Sequence, residues 1–447
     1  GGRRRRPRSR QQSSRHFWRM FFLAKTSLFF MFESYSGYRL LAISCLGLVA
    51  SLSSSPRACY VHLPFCRRRC FYCSFPIEVV GDGRSAADAA AEKYVSNVLR
   101  EMRATPRGDL GDAPLESVYF GGGTPSLTPP HLVEALIEEL RGRYGLAAEC
   151  ELTLEMDPGT FDAAKLDAFI AAGVNRVSMG VQSFDDALLK SAGRAHDVAE
   201  AEEAIDLVIS RLEQDGALKS VSLDLICGLP GSTAATWSDS LRRAAGSGAS
   251  HLSVYDLQVE PKTKFARLRD SPTASFDVPP EEAGAAMLAE TSRTLQLAEF
   301  GFERYEVSSY SLPGHRSRHN SAYWRNDAFF GFGLGATSHI DSRRVARPTT
   351  LQGYEDWVRE LEDRGWSAHH GEAQAELGVD ALQTRIMLAL RTVDGLDLSK
   401  QGVLRGQAVL GGFLRAGPFR GRLVVKKQGM MAGPSLGGLR ATWGRAR

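Results

Sequence analysis

Between residues 59 and 257 the chain alternates six apolar, strand-like runs with helical stretches. The runs fall at 59–63, 117–121, 151–155, 176–181, 220–226 and 251–257. Helical spacing follows at 86–103, 130–143, 162–172, 185–213 and 233–247, the third stretch coming after the turn-forming Asp157-Pro158-Gly159. Strands separated by helices pair in parallel, with right-handed crossovers that bring the chain back to the same end of the sheet. Reactive groups in such folds come from the C-terminal ends of the strands and the loops beyond them. Cys66 stands after the first run, Gly121-Gly122-Gly123-Thr124-Pro125 after the second, Glu155 at the end of the third and Gln182 after the fourth. Asp224 and Asp256 lie near the ends of the fifth and sixth. From Pro280 the pattern changes to a long helix over 281–300 and then aromatic-rich, irregular sequence, which predicts a second domain packed on the first.

Charge divides the chain in the same way. Residues 1–57 hold 11 basic side chains and one acid, and residues 401–447 hold nine basic and none acidic. That leaves 35 basic against 50 acidic residues in 58–400, so the overall charge of +4 belongs to the ends. An acidic working region excludes a protein that coats nucleic acid, because phosphate neutralisation needs basic charge on the folded surface. The first 57 residues, rich in Arg and Ser, read as a targeting leader, with the apolar stretch 40–49 too short to span a bilayer. Mitochondrion is the expected destination and a plastid the alternative, and membrane contact is expected only through this leader. Residues 401–447 read as a Gly/Arg-rich tail, divergent or truncated, whose composition packs poorly. The expected organisation is a leader at 1–57, a barrel at 58–279, a C-terminal domain at 280–400 and the tail.

Three of the seven cysteines fall within eight residues, in Cys66-Arg67-Arg68-Arg69-Cys70-Phe71-Tyr72-Cys73. Such clustering argues for metal ligation rather than a secreted disulfide framework. Thiolates spaced C-x3-C-x2-C on one loop suit one face of a cubane iron–sulfur cluster, leaving the fourth iron without a protein ligand. Arg67, Arg68 and Arg69 would offset the negative charge and raise the reduction potential. A zinc site completed by His62 or Cys59 is an alternative, although structural zinc usually takes two separate C-x2-C pairs. A redox pair of Cys70 and Cys73 is another.

YVHLPFCRRRCFYCSF, followed in order by YFGGGTPSL, LEMDP, SMGVQSF, GRAHD and LDLICGLPG, resembles the anaerobic coproporphyrinogen III oxidase family of radical S-adenosylmethionine (SAM) proteins over residues 58–400. The resemblance implies an α/β fold, a partial (β/α)6 radical SAM barrel with a smaller C-terminal α+β domain. It implies a [4Fe–4S] cluster on Cys66, Cys70 and Cys73, with the open iron bound by the amino and carboxyl groups of SAM. Tyr60, Gly122 and Glu155 would hold that SAM. Tyr72, Gly123, Thr124, Gln182, Arg194 and Asp224 match positions lining a second SAM site in the oxidase. Glycines let backbone groups approach a ligand closely, and Arg194 can pair a carboxylate bidentately. Glu155 and Asp224 could instead only cap neighbouring backbone.

Two features part this chain from the oxidase. Phe75 stands where the oxidase has a further cysteine, and His319-Asn320-Ser321-Ala322-Tyr323-Trp324 precedes the glycine-rich FGFGLGATSHI. Both resemble the HemW-type heme chaperones, which implies heme as a third bound group, heme-acceptor proteins as partners and an electron donor for the cluster. The alternative is the oxygen-independent oxidase, an enzyme acting through a SAM-derived radical. His319 is the first candidate for a heme axial ligand and His339 a weaker one; the other reading makes His319 a polar core residue tying the C-terminal domain to the barrel.

Overall fold

The computed structural model describes residues 55–107, 113–214, 216–273, 276–376 and 378–397, with two further short strands in the tail. The targeting leader lies outside the described residues. Six parallel strands form the centre: β1 (Ala58–Leu63), β2 (Leu115–Gly122), β3 (Leu146–Met156), β4 (Arg176–Gln182), β5 (Ser220–Cys227) and β6 (His251–Asp256). Between them run α1 (Arg84–Ala104), α2 (Pro130–Tyr144), α3 (Ala163–Ala171), α4 (Asp186–Ser191), α5 (Val198–Gln214) and α6 (Ala234–Gly246). The caps explain several starts. Asp162, Asp185 and Thr233 each accept an N–H of the first turn, so the helices begin where a short polar side chain can satisfy an orphan donor.

Within each strand, alternate residues divide between two environments. Val118, Phe120, Leu152, Leu154, Val177, Met179, Val221, Leu223, Leu252 and Val254 are buried against the helices, where Ile137, Phe169, Val208 and Leu241 meet them. The intervening positions are polar and turn toward one another on the concave side. Tyr119 meets Glu155, Ser178 meets Asp224, and Ser222 meets His251. A two-residue side-chain period therefore builds an apolar outer layer and a polar lumen from the same strands.

One expectation needs correction. The 185–213 stretch is not one helix: it breaks into α4 and α5, with Gly193 between them in the left-handed region at φ +71°. The segment after Pro280 adds strands to the edges of the same sheet. Beyond α7 (Lys264–Arg269) and α8 (Glu281–Leu295) it supplies β7 (Glu303–Arg304), β8 (Ser309–Ser311), β9 (Phe329–Phe332), β10 (Thr337–Ile340) and β11 (Arg343–Ala346). All join the same eleven-stranded sheet, ordered β11-β10-β9-β1-β2-β3-β4-β5-β6-β8-β7. β9 extends the parallel set beside β1, with Tyr60 opposite Gly331. β8 runs antiparallel to β6. Both open edges of the barrel sheet are thus covered by chain from the C-terminal half.

α9 (Arg318–Trp324), the H-N-x-x-Y-W segment, docks on the concave side, its Arg318 and His319 N–H groups donating to the Glu151 carboxylate at 3.0 Å each. That carboxylate sits at the helix N-terminus, where the dipole favours it. The tail, expected to lack regular structure, contributes strands Leu423–Lys427 and Leu439–Trp443, which pair with Leu396–Asp397 in a small antiparallel sheet. No helix among the described residues is long and apolar enough to cross a membrane.

Candidate cluster and cofactor site

The cysteine loop leaves the end of β1 and is closed by a two-residue parallel pair, Phe65–Cys66 with Glu78–Val79. Arg69 braces it from within, donating to the Phe75 and Ile77 carbonyls at 3.0 and 3.1 Å, while Arg67 pairs with Asp82 at 2.6 Å. The glycine loop after β2 lies against it. Gly123 N–H donates to Leu63 O (2.9 Å), Thr124 N–H to Phe65 O (2.7 Å), and the Thr124 hydroxyl to Cys66 Sγ (3.6 Å). A Cβ on Gly123 would stand 2.5 Å from Pro64 O, and one on Gly122, at φ +129°, 2.7 Å from the His62 ring. These two glycines are required by the approach of one loop to the other.

Burial pushes the Cys66 thiol up to about 12 and Cys73 to about 11, so without a metal they stay protonated; cation binding is what makes them thiolates. Among the described residues no three His, Cys, Asp or Glu side chains converge tightly enough for one metal ion. The two residues that could complete a zinc site are also committed elsewhere. His62 bonds Pro76 O through Nε2 (2.9 Å) and the Tyr60 hydroxyl through Nδ1 (3.0 Å), and burial lowers its pKa to about 4. Cys59 is fully buried in the helix-facing core. Three thiols on one loop, with His62 and Cys59 engaged elsewhere, fit a cluster that keeps one open iron.

Across the mouth from this loop stands Glu155 at the end of β3. It accepts the Tyr119 hydroxyl and the Gly122 N–H, each at 2.9 Å. Desolvation still raises its pKa to about 7, with the Asp224 carboxylate adding to the rise. Tyr60 packs beside Tyr119 and over Gly121. Asp224 is held by the Ser178 hydroxyl (3.1 Å) and the Ser222 hydroxyl (3.3 Å), and burial raises its pKa as well. Gln182 adopts φ +68° at a register shift between β4 and β5, a strained conformation of the kind that concentrates at functional sites. Tyr72 packs on Phe265 and lies 3.2 Å from Arg194 Nη1. Asp256, also read as a rim residue, accepts from the Gln258 amide at 3.0 Å.

Cys66, Cys70, Cys73, Tyr60, Tyr72, Gly122, Gly123, Thr124, Glu155, Gln182, Arg194 and Asp224 thus gather at the C-terminal end of the barrel or just inside it. His319 does not. It is 1% exposed on the concave side, its Nδ1 3.2 Å from Ser117 Oγ, its Nε2 2.8 Å from the Tyr323 hydroxyl, and its ring stacked on Tyr119. Both ring nitrogens are engaged, and burial lowers its pKa to about 3. In this structure His319 packs as a neutral residue with both ring nitrogens in hydrogen bonds. His339 is buried too, with Nδ1 3.2 Å from Asp327 O.

Sequence reasoning missed the counter-ion of Arg194, which is Asp157 of the LEMDP segment, treated there only as a turn residue. It also missed Arg176, 2% exposed in the lumen, whose Nε and Nη1 have no hydrogen-bond partner among the described residues. The two-residue alternation of SVYFGG, ELTLEM, RVSMGVQ and SVSLDLIC was the available signal. It puts Arg176 in line with Ser178, Gly180 and Gln182.

The Radical SAM superfamily model matches residues 60–244, the stretch that carries this site. The chain is 40% identical over 341 residues to the heme chaperone HemW of Synechocystis sp., covering 76% of this chain and 79% of that protein. It belongs to the HemW heme chaperone family. Membership in the radical SAM superfamily implies a [4Fe–4S] cluster and SAM, which the cysteine triad and the rim fit. Radical S-adenosyl methionine domain-containing protein 1, mitochondrial, of Mus musculus is 35% identical, with 77% of this chain and 75% of that protein covered. The fold is shared with coproporphyrinogen III oxidase (HemN) from Escherichia coli, at a TM-score of 0.65 and 23% identity over 82% of this chain and 81% of that one.

Proposed function

We propose that the protein binds heme and passes it to acceptor proteins, carrying a [4Fe–4S] cluster on Cys66, Cys70 and Cys73 whose open iron takes SAM. The observation that carries the reading is the 40% identity to a HemW heme chaperone across three quarters of the chain. Phe75 supports it, because the position of the oxidase's extra cysteine here carries an apolar side chain, while its backbone carbonyl accepts from Arg69.

Cys66, Cys70 and Cys73 would hold the cluster, which would supply an electron to bound SAM. The chain's own residues prepare the place. Gly122 and Tyr119 fix the Glu155 carboxylate, leaving its remaining lone pairs to accept from a ligand amine or hydroxyl. Ser178 and Ser222 hold Asp224 deeper in the lumen, and Tyr60 walls the side toward β1. An electron donor for the cluster and a heme-acceptor protein are the partners this requires. Residues 1–57 are the leader that would carry the chain into mitochondria, a destination that three relatives carry in their names. A fluorescent reporter fused to residues 1–57 tests that, and plastid fluorescence would replace it.

One anaerobic experiment tests the function. Reconstituted protein is titrated with heme and, in parallel, incubated with coproporphyrinogen III, SAM and a reductant. Saturable, stoichiometric heme uptake with no protoporphyrinogen IX is expected. Turnover of coproporphyrinogen III would overturn the chaperone reading.

A further inference from the structure

The cysteine loop is fastened at its middle by a segment distant in sequence. Phe71 donates its N–H to Ala192 O and accepts the Phe265 N–H at its own carbonyl, each at 2.9 Å. Its ring fills the notch over Gly193, where an added Cβ would stand 2.4 Å from it, and Lys264 Nζ lies 3.4 Å from the ring centroid. This latch requires glycine at 193 both for its positive φ and for the space, and it delivers the next residue, Arg194, to a cysteine. Arg194 Nη1 lies 3.4 Å from Cys70 Sγ. Its Nη2 donates to Gly180 O at 2.6 Å and to the Asp157 carboxylate. Gly180 also keeps the space beside the pair open, since a Cβ there would lie 3.3 Å from both Arg194 Nη2 and Asp157 Oδ1. The Arg194 side chain is only 7% exposed. By contrast Arg68 and Arg69 are exposed, and Arg67 is paired to an exposed Asp82.

We propose that Arg194 is a positioning and tuning residue for the cluster. Its buried N–H···S bond to Cys70 raises the cluster's reduction potential, and Asp157 sets how much of that positive charge the cluster feels. The inference rests on the three cysteines being the cluster ligands. Reduction adds one electron, and so one negative charge, to the cluster. A cation that donates to a ligand sulfur in a low-dielectric site stabilises the reduced form more than the oxidised one. Solvent screens the exposed arginines of the loop, so the same charge there has a smaller effect. The carboxylate on the other side of Arg194 opposes its field while holding it in place.

The test is an EPR-monitored redox titration of the full-length, anaerobically reconstituted protein without SAM, reduced by dithionite, with iron and sulfide matched per chain. Arg194→Met is expected to lower the midpoint potential, Arg194→Lys to recover part of the loss, and Asp157→Asn to raise it above native. A loss of packing alone would lower iron content without moving the midpoint in opposite directions. If Arg194→Met leaves the SAM-free midpoint unchanged and only weakens SAM binding, Arg194 is a SAM contact and the inference is overturned. Should Arg194→Met fail to retain iron, Asp157→Asn decides, and an unchanged or lower midpoint there also overturns it. A native protein that forms no cluster would refute the cysteine assignment instead, which is a separate result.

Discussion

SAM binding should depend on pH through Glu155. Burial raises this carboxyl to about 7, above its ordinary range, despite the Tyr119 and Gly122 donors that favour the ionised form. Between the ordinary carboxyl range and about 7, folded protein keeps a proton that the unfolded chain has released. This group's contribution to stability therefore falls as pH rises through that window. A ligand that carries a sulfonium charge and donates hydrogen bonds needs the opposite, ionised form. With a pKa near 7, about a tenth of Glu155 is ionised at pH 6 and about nine-tenths at pH 8. The apparent Kd for SAM should accordingly rise about tenfold from pH 8 to pH 6, close to 1.4 kcal/mol. The histidine and tyrosine neighbours do not titrate there. Burial holds His62 at about 4 and His319 at about 3, and raises Tyr60 and Tyr119. Asp224 is also raised by burial, so Asp224→Asn separates its share. Equilibrium dialysis of SAM against reconstituted protein across this range gives the slope. Glu155→Gln should bind more weakly and show no slope. A flat native profile, or a slope that survives in Glu155→Gln, would refute the reasoning.

Cys66→Ala, Cys70→Ala or Cys73→Ala should each abolish the visible absorbance of reconstituted protein; absorbance that persists would show that the ligands are misassigned. Arg347 and Glu101 form an ion pair with both side chains 0% exposed, Nε to Oε1 2.6 Å, and Glu101 also holds Gly333 N–H and the Tyr354 hydroxyl. Arg347→Met leaves that carboxylate buried and unpaired, so urea unfolding followed by circular dichroism should show a loss of about 3–5 kcal/mol. A change below about 1 kcal/mol would contradict that. Gly193→Ala should reduce iron retention, since its Cβ meets Phe71; full retention would mean that the loop has another anchor. His319→Ala should cost about 1–3 kcal/mol by leaving Ser117 and Tyr323 partly unpaired, yet keep stoichiometric heme uptake in the folded fraction. Loss of uptake in folded protein would return His319 to the heme site.

The six parallel strands, most of the helices and the clustering of three cysteines could be read from sequence because their signals are local. A strand shows in a two-residue period, a helix start in Asp162 or Thr233, a cluster loop in the spacing of Cys66, Cys70 and Cys73. The rim residues Glu155, Gln182 and Asp224 followed, because a parallel fold fixes which end of each strand is functional. Partnership was decided elsewhere. That Arg194 meets Asp157 and Cys70 rather than solvent depends on Gly193 accommodating the ring of Phe71, more than 120 residues away. The partners of the two His319 nitrogens, Ser117 on a strand some 200 residues earlier and Tyr323, were likewise set by the fold. The strands after Pro280 carry no mark that they join the barrel sheet, since an edge is recognised by unpaired backbone groups on another element. Sequence determined the pieces and the chemistry each could offer. Tertiary structure decided which charges and hydrogen-bonding groups are paired, because pairing follows from long-range packing and not from spacing along the chain.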